Sequence, residues 1–164
     1  MLLLILWIGI SAHTQRSKWK THSDEAMSLY RQGHYDQAVE MAKKALQVAE
    51  QTEGPNHPSV AAPLNNLATM FSTQGQYVQA EPLYKRSLAI NEQALGPDHP
   101  NVAQDLEDLA ALYRKSGREK EAEAPEKRAA AIRAIGIAFT SCAAWQKLQP
   151  SRTFCMAANS DQKT

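Results

Sequence analysis

The sequence has little of what most enzymes and nucleic-acid-binding proteins need. Lys and Arg number 18 against 17 Asp and Glu in 164 residues. No basic surplus is therefore available to neutralise phosphates, and we expect no nucleic-acid partner. Aromatic residues make up only 7% of the chain, and the long Val and Ile runs that build sheets are absent. The two cysteines, Cys142 and Cys155, match no zinc-ligand spacing. A structural or incidental role is the favoured interpretation for them, with a disulfide as the alternative.

Long hydrophobic runs are also missing, and the only apolar stretch stands at the start of residues 1–20. Its ten residues, MLLLILWIGI, are too few to cross a bilayer, which needs roughly 20. The length does fit a signal-peptide core, followed by small residues at Ser11 and Ala12, although no Lys or Arg precedes it. Export or membrane association through this segment, and a cytoplasmic chain with a hydrophobic extension, both stay open. Residues up to 20 then form a basic linker.

Motifs for catalysis, cofactors and metals are absent as well. The glycines are single and widely spaced, unlike a phosphate-binding GxxxxGK[ST] loop, and no serine elbow or Cys/His pair is visible. The carboxylates of 119–123 are typical of a solvated helix face, with Glu123 and Lys127 at i, i+4. His57 and His99 lie in equivalent, separated loops, so a shared zinc is not expected. We predict a protein that is not an enzyme and has no cofactor and no metal.

An internal repeat dominates what is present. Five glycines follow each other at intervals of 21 residues: Gly33, Gly54, Gly75, Gly96 and Gly117. The intervening segments alternate in kind, so the period is 42, and residues 54–95 match 96–137 at 16 of 42 positions. A period of this length predicts stacked supersecondary units.

Each unit carries two helical stripes. Apolar residues recur at i, i+3, i+4 and i+7 before Gly75 and again before Gly117, the spacing of one helix face. The stripes are Leu64, Leu67, Ala68 and Phe71, then Leu106, Leu109, Ala110 and Tyr113. A second stripe follows each glycine. We expect the glycine between paired helices to end the first helix in a left-handed conformation.

The pentapeptides GPNHP and GPDHP, at 54–58 and 96–100, separate the units. Pro58 and Pro100 suit the first position of a helix, where a missing N–H costs nothing. Either the histidine of each loop or the preceding Asn56 and Asp98 would cap the helix that follows. The loops are therefore interpreted as connections between helix pairs.

These residues resemble the tetratricopeptide repeat in its 42-residue, kinesin light chain form. The Leu-x-x-Leu-Ala, Gly-x-Tyr, Ala-Glu-Pro-Leu-Tyr and Gly-Pro-Asp-His-Pro elements occur in the family's order within residues 64–103. The resemblance implies an all-α, right-handed solenoid of antiparallel helix pairs, with three repeats over 21–135 (about 21–53, 54–95 and 96–135). It also implies a non-catalytic module that binds a partner peptide or helix in a concave groove.

Several positions depart from the family pattern. In the first unit His22 and Glu25 stand in place of Leu64 and Leu67, and Pro63 should delay or kink the helix that holds it. The period ends after Ile135. Residues 136–164 are expected to form a short capping helix followed by a disordered tail. An apolar stripe of Ile132, Ile135, Phe139 and Cys142 or Ala143 would cover the last repeat.

The groove residues are expected beside the core stripes of the leading helices. Asn65 corresponds to the asparagine that binds peptide backbone in the family, and an amide both donates and accepts hydrogen bonds. The basic residues of the set favour a partner with acidic residues. The full predicted set is Met27, Tyr30, Arg31, Asn65, Thr69, Ser72, Glu107, Arg114 and Lys115. The alternative is a degenerate or truncated piece of a larger array, with a structural role only.

Overall fold

The computed structural model describes residues 18–148, with side chains through residue 136. Within that range the chain forms six α-helices, one 3₁₀ turn and no strand. The expectations for residues 1–17, for the tail beyond 148 and for the two cysteine side chains lie outside the described part. The elements are α1 (18–31), α2 (Tyr35–Glu53), the 3₁₀ turn (Pro58–Val60), α3 (Ala61–Thr73), α4 (Tyr77–Leu95), α5 (Pro100–Lys115) and α6 (Glu119–Leu148).

The helices pack in the order of the chain, as leading helices α1, α3 and α5 and trailing helices α2, α4 and α6. Small residues allow this close approach, because an alanine at a helix crossing keeps two backbones near each other. The same two positions of each unit are buried alanines: Ala26, Ala68 and Ala110, and Ala38, Ala80 and Ala122. One apolar cluster runs through all three units. The all-α repeat architecture expected from the sequence is confirmed.

The leading helices end as the glycine spacing predicts. After α3 the N–H of Gly75 donates to the carbonyl of Ser72 at 3.1 Å, and that of Gln76 to Phe71 at 2.9 Å. These two bonds are the Schellman closure, which requires a residue with positive φ. Gly75 provides it, with φ of 75°. The same pair of bonds ends the other leading helices at Gly33 and Gly117.

The two Gly-Pro loops share one conformation. Gly54 has φ 98° and ψ 154°, and Gly96 has φ 88° and ψ 160°, a region that residues with a Cβ essentially never adopt. Three residues later the histidine ring caps the next helical turn. Nδ1 of His57 accepts from the N–H of Ser59 at 3.2 Å, and Nδ1 of His99 from that of Asn101 at 3.1 Å. The histidine, and not the residue before it, is therefore the cap.

An arginine at equivalent positions of two units connects each Gly-Pro loop to the trailing helices. Arg86 of α4 donates to Glu50 of α2 and to the carbonyl of Pro55, both at 2.6 Å. In the next unit Arg128 of α6 makes the same two contacts, with Glu92 and the carbonyl of Pro97. A planar guanidinium serves two acceptors at once, which an ammonium group does less well. The arginine thus joins neighbouring units at each loop.

The departures from the pattern have local consequences. Pro63 does delay its helix: a 3₁₀ turn precedes α3, so Pro63 falls in the first turn, whereas α5 begins directly at Pro100. In α1 the Nδ1 atom of His22 is buried without a hydrogen-bond partner, and Glu25 is exposed. The first unit therefore has the weaker core expected of it.

Residues 136–148 are not a separate capping helix, because α6 continues through them without a break. No Gly-Pro pair follows residue 135, so nothing in the sequence ends the helix there. Of the two isoleucines expected to form an apolar stripe, Ile132 is buried and Ile135 is 44% exposed.

Candidate partner-binding face

The exposed and half-buried side chains of α1, α3 and α5 form a surface that we call the leading-helix face. Hydrogen bonds of one register join the three helices across it, each linking residues 43 positions apart. They are Ser23–Asn66 at 3.0 Å, Tyr30–Thr73 at 2.7 Å and Asn65–Asp108 at 2.8 Å. This recurrence makes the three helices one polar surface.

The α1 residues of the predicted site lie at its first edge. Met27 and Tyr30 are half-buried against the core, and the Tyr30 ring meets that of Tyr35 edge-on at 5.4 Å. Arg31 is exposed, and no carboxylate of the described residues pairs with it. Arg31 therefore has an unpaired positive charge at this edge that a ligand could contact.

The α3 residues differ in what they offer a ligand. The Asn65 amide nitrogen donates to Asp108 and, at 3.2 Å, to Asp105, so only its oxygen remains for a partner. The hydroxyl of Thr69 lies 2.9 Å from that of Tyr84. Ser72 is only 6% exposed, so it has little surface for a ligand. On α3, Asn65 and Thr69 are therefore more accessible to a ligand than Ser72 is.

The α5 charges are mostly satisfied within the chain. Arg114 makes a bidentate pair with Glu126, the second bond at 2.7 Å, and lies 3.6 Å from Glu119. Glu107 is paired with Arg133, whose hydrogen bond lowers the pKa of Glu107. Lys115 is exposed and has no ion pair among the described residues. Arg31 and Lys115 are thus the free cations of the predicted site.

Sequence reasoning missed the residue at the centre of this region. Asp105 is 3% exposed, and its carboxylate accepts from Asn91 at 2.6 Å, from Ser87 at 3.1 Å and from Asn65. No cation of the described residues pairs with it. Burial raises its pKa, against the lowering effect of these donors. The signal in the sequence was the polar pair Ser87 and Asn91 at i, i+4, on the buried side of an otherwise apolar stripe.

A polar cavity of about 250 Å³ opens beside Asp105, between α3, α4 and α5. Neither at this cavity nor at any other place does the part of the chain with described side chains have three or more His, Cys, Asp or Glu arranged to hold a metal. None of its helices is long and apolar enough to cross a membrane.

Paired helices in a 42-residue period, closed by Schellman glycines and joined at equivalent loops, define a helical repeat protein. The sequence profile of the tetratricopeptide repeat matches residues 20–93 and 72–134. The chain belongs to the tetratricopeptide repeat family. Repeats of this family generally mediate protein–protein interaction and are generally non-catalytic. No curated protein sequence matches the chain.

Solved structures agree with this assignment. The chain is similar to BtubC (BKLC) of P. vanneervenii, with TM-score 0.68 and 26% identity over 80% of this chain and 54% of that one. It is also similar to the nearly identical TPR-like repeats of a P. anserina protein, with TM-score 0.66 and 26% identity over 72% of this chain and 56% of that one. The TPR domain of Arabidopsis FLU shares the fold at 16% identity and TM-score 0.56, over 78% of this chain and 98% of that one. The chain spans about half the length of the first two proteins.

Proposed function

We propose that the chain is a non-catalytic interaction module that binds a peptide or helix of a partner protein on the leading-helix face. The observation that carries the proposal is the register of Ser23–Asn66, Tyr30–Thr73 and Asn65–Asp108, which joins three helices into one continuous polar surface. A surface of parallel helices with hydrogen-bonding groups at regular intervals suits an extended segment laid across it.

Free groups remain on this surface for such a segment. The Asn65 amide oxygen accepts no hydrogen bond from a described residue, and Arg31 and Lys115 have no carboxylate partner among them. Arg31 and Lys115 occupy equivalent places at the ends of α1 and α5. Acidic residues of the partner segment would meet these two cations. Arg114 contributes less, because Glu126 already neutralises it.

The test compares two charge-matched double variants of the full chain. Arg31→Ala with Lys115→Ala removes both free cations of the leading-helix face. Lys44→Ala with Lys127→Ala removes two exposed cations from the trailing helices α2 and α6. We expect a partner captured by the unmodified chain to be retained by the trailing-helix variant and lost from the leading-helix variant. Equal capture by both would refute the proposed face.

A further inference from the structure

The cavity beside Asp105 is lined by acceptors that the chain itself does not saturate. Ser87, Asn91 and Asp105 lie at its base, and Asn65, Asn66 and Gln104 lie around them. The base is built from residues of α4 and α5, nine-tenths or more of each buried. It is therefore a fixed feature of the interface between the second and third units.

The orientation of the amides follows from the carboxylate. An ionised carboxylate only accepts hydrogen bonds, so the NH₂ groups of Asn65 and Asn91 both turn towards Asp105. Their oxygens consequently point away from it. Neither oxygen accepts a hydrogen bond from any described residue, although Asn91 is only 8% exposed. The two amide oxygens therefore stay open at the cavity and are free to accept hydrogen bonds from a donor that enters it.

Two negative charges meet here without a countercharge. The Asn65 amide bridges Asp105 and Asp108, and the Asp108 carboxylate also accepts from Gln104 at 3.2 Å. No Lys or Arg of the described residues pairs with either carboxylate. The Ser87 hydroxyl has one proton, which the carbonyl of Ala61 and Asp105 share at 3.1 Å each. Neutral donors alone therefore serve a buried charge, which is costly unless a cation completes the site.

We propose that this cavity receives a lysine or arginine side chain of the partner protein. A volume of about 250 Å³ is below the range of about 300–1,000 Å³ typical of small-molecule pockets, and it suits a single long side chain. Pro58, Ala61 and Ala62 supply an apolar wall for the aliphatic stem. The cationic end then donates to Asp105 and to the two amide oxygens.

The inference rests on the proposed function, since it names one residue type of the bound segment. It adds a basic anchor between α3 and α5 to the acidic contacts proposed near Arg31 and Lys115. A partner segment would then carry both signs of charge, with the basic residue as its buried anchor.

The test uses blocked tripeptides with a central lysine, arginine or norleucine, titrated into the full chain. The readout is the side-chain NH₂ signals of Asn65 and Asn91 in nuclear magnetic resonance spectra. Norleucine keeps an aliphatic stem without the charge. We expect saturable shifts with the lysine and arginine peptides and none with norleucine. Shifts of equal size with all three peptides, or no saturation with either basic peptide by about 50 mM, well above the millimolar affinity of one weak contact, would overturn the proposal.

Two variants separate charge from space. Asp105→Asn keeps the shape of the side chain and removes its charge. It should lower the affinity of the cavity for the lysine peptide at least about tenfold. Ala62→Leu fills the mouth of the cavity from an exposed position and should also abolish binding. Glu123→Gln removes one exposed carboxylate of α6, away from the cavity, and should leave binding unchanged. Unaltered affinity in Asp105→Asn would overturn the proposal.

The outcome separates this inference from the proposed function. If partner capture depends on Arg31 and Lys115 but the cavity does not bind the lysine peptide, the inference is refuted and the proposed function stands. If the cavity binds the lysine peptide but no partner binds the leading-helix face, the proposed function is refuted and the cavity remains a site for a basic side chain.

Discussion

The histidines of the two Gly-Pro loops are capping residues. Each presents Nδ1 to the N–H two positions ahead, the role usually filled by Ser, Asp or Asn. In His57 the same nitrogen also lies 3.0 Å from the hydroxyl of Ser59. The repetition of histidine in both loops therefore reflects helix initiation and requires no ligand.

Replacing His99 by alanine tests this role. The change removes the acceptor for the N–H of Asn101 and should lower the free energy of unfolding by about 1 kcal/mol, the usual cost of a lost cap. His34 is the matched control, because it precedes α2 without a side-chain capping bond. His34→Ala should change stability much less in the same denaturant titration. Equal losses in the two variants would contradict the capping account.

Asp105 shows a residue whose charge opposes stability. Its raised pKa means that the folded chain holds the proton more tightly than the unfolded chain does. Ionisation therefore costs stability above the folded-state pKa, and that cost disappears below the ordinary value of 3.8.

Asp105→Asn should accordingly raise the free energy of unfolding at pH 7, by about 1 kcal/mol. The gain should shrink as the pH falls towards about 4, where the wild-type carboxyl binds its proton. Chemical denaturation at both pH values measures the two differences. A variant less stable than the wild type at pH 7 would show that the ionised carboxylate supports the fold.

At the scale of elements, Glu81 connects α4 with α5 and with the turn before α6. It accepts hydrogen bonds from Tyr113 of α5 at 3.1 Å, from Lys85 of α4 at 2.7 Å and from Arg118, which precedes α6. The guanidinium of Arg118 also lies over the Tyr113 ring, 4.5 Å from its centroid. Chiefly the Arg118 bond, followed by that of Lys85, lowers the pKa of Glu81 from 4.5 to about 2.

A lowered carboxyl pKa gives stability that is present above the unfolded value and lost in acid. We expect Glu81→Gln to lose about 1 kcal/mol at pH 7, a figure reduced for screening near the surface. The difference from wild type should vanish as the pH falls from about 4.5 to about 2. Glu123→Gln, at an exposed site of α6, should show no such dependence. A Glu81→Gln loss independent of pH would contradict the ion-pair account.

Local signals in the sequence predicted the elements well. Glycine and proline act within a few residues, so the ends of α1, α3 and α5 and the loops at Gly54 and Gly96 followed from spacing alone. The helix after residue 135 was predicted less well, because the repeat period stops there while α6 continues; Pro150, two residues beyond Leu148, is the next residue that disfavours a helix.

Contacts between elements were less predictable. Arg114 looked like a free groove cation, yet Glu126 reaches it across the turn from α6. The Asp105 network needs one residue from α3, two from α4 and one from α5. Such sites depend on which helix faces meet, and the repeat period alone does not fix the side chains that lie there.

At the scale of the molecule, an interaction module and a structural fragment of a larger array are expected to differ in how cooperatively they unfold. The core cluster runs from Ala26 to Ala122, and the Arg86 and Arg128 contacts join neighbouring units. Stability in repeat proteins is the sum of unit and interface terms, and these interfaces favour a single transition. We expect one cooperative loss of helicity by circular dichroism, with the same midpoint by fluorescence. A gradual or probe-dependent loss would favour the structural fragment.

The central claim is that partners bind the leading-helix face, and site-specific photocrosslinking tests it most directly. Ala111 of α5 takes the place that Thr69 has in α3, and Ala130 lies on the trailing helix α6; both alanines are exposed. A photoreactive benzoylphenylalanine is placed at one position or the other in the full chain. The account predicts that a bound partner crosslinks from position 111 and not from position 130. Crosslinking from position 130 alone would contradict it.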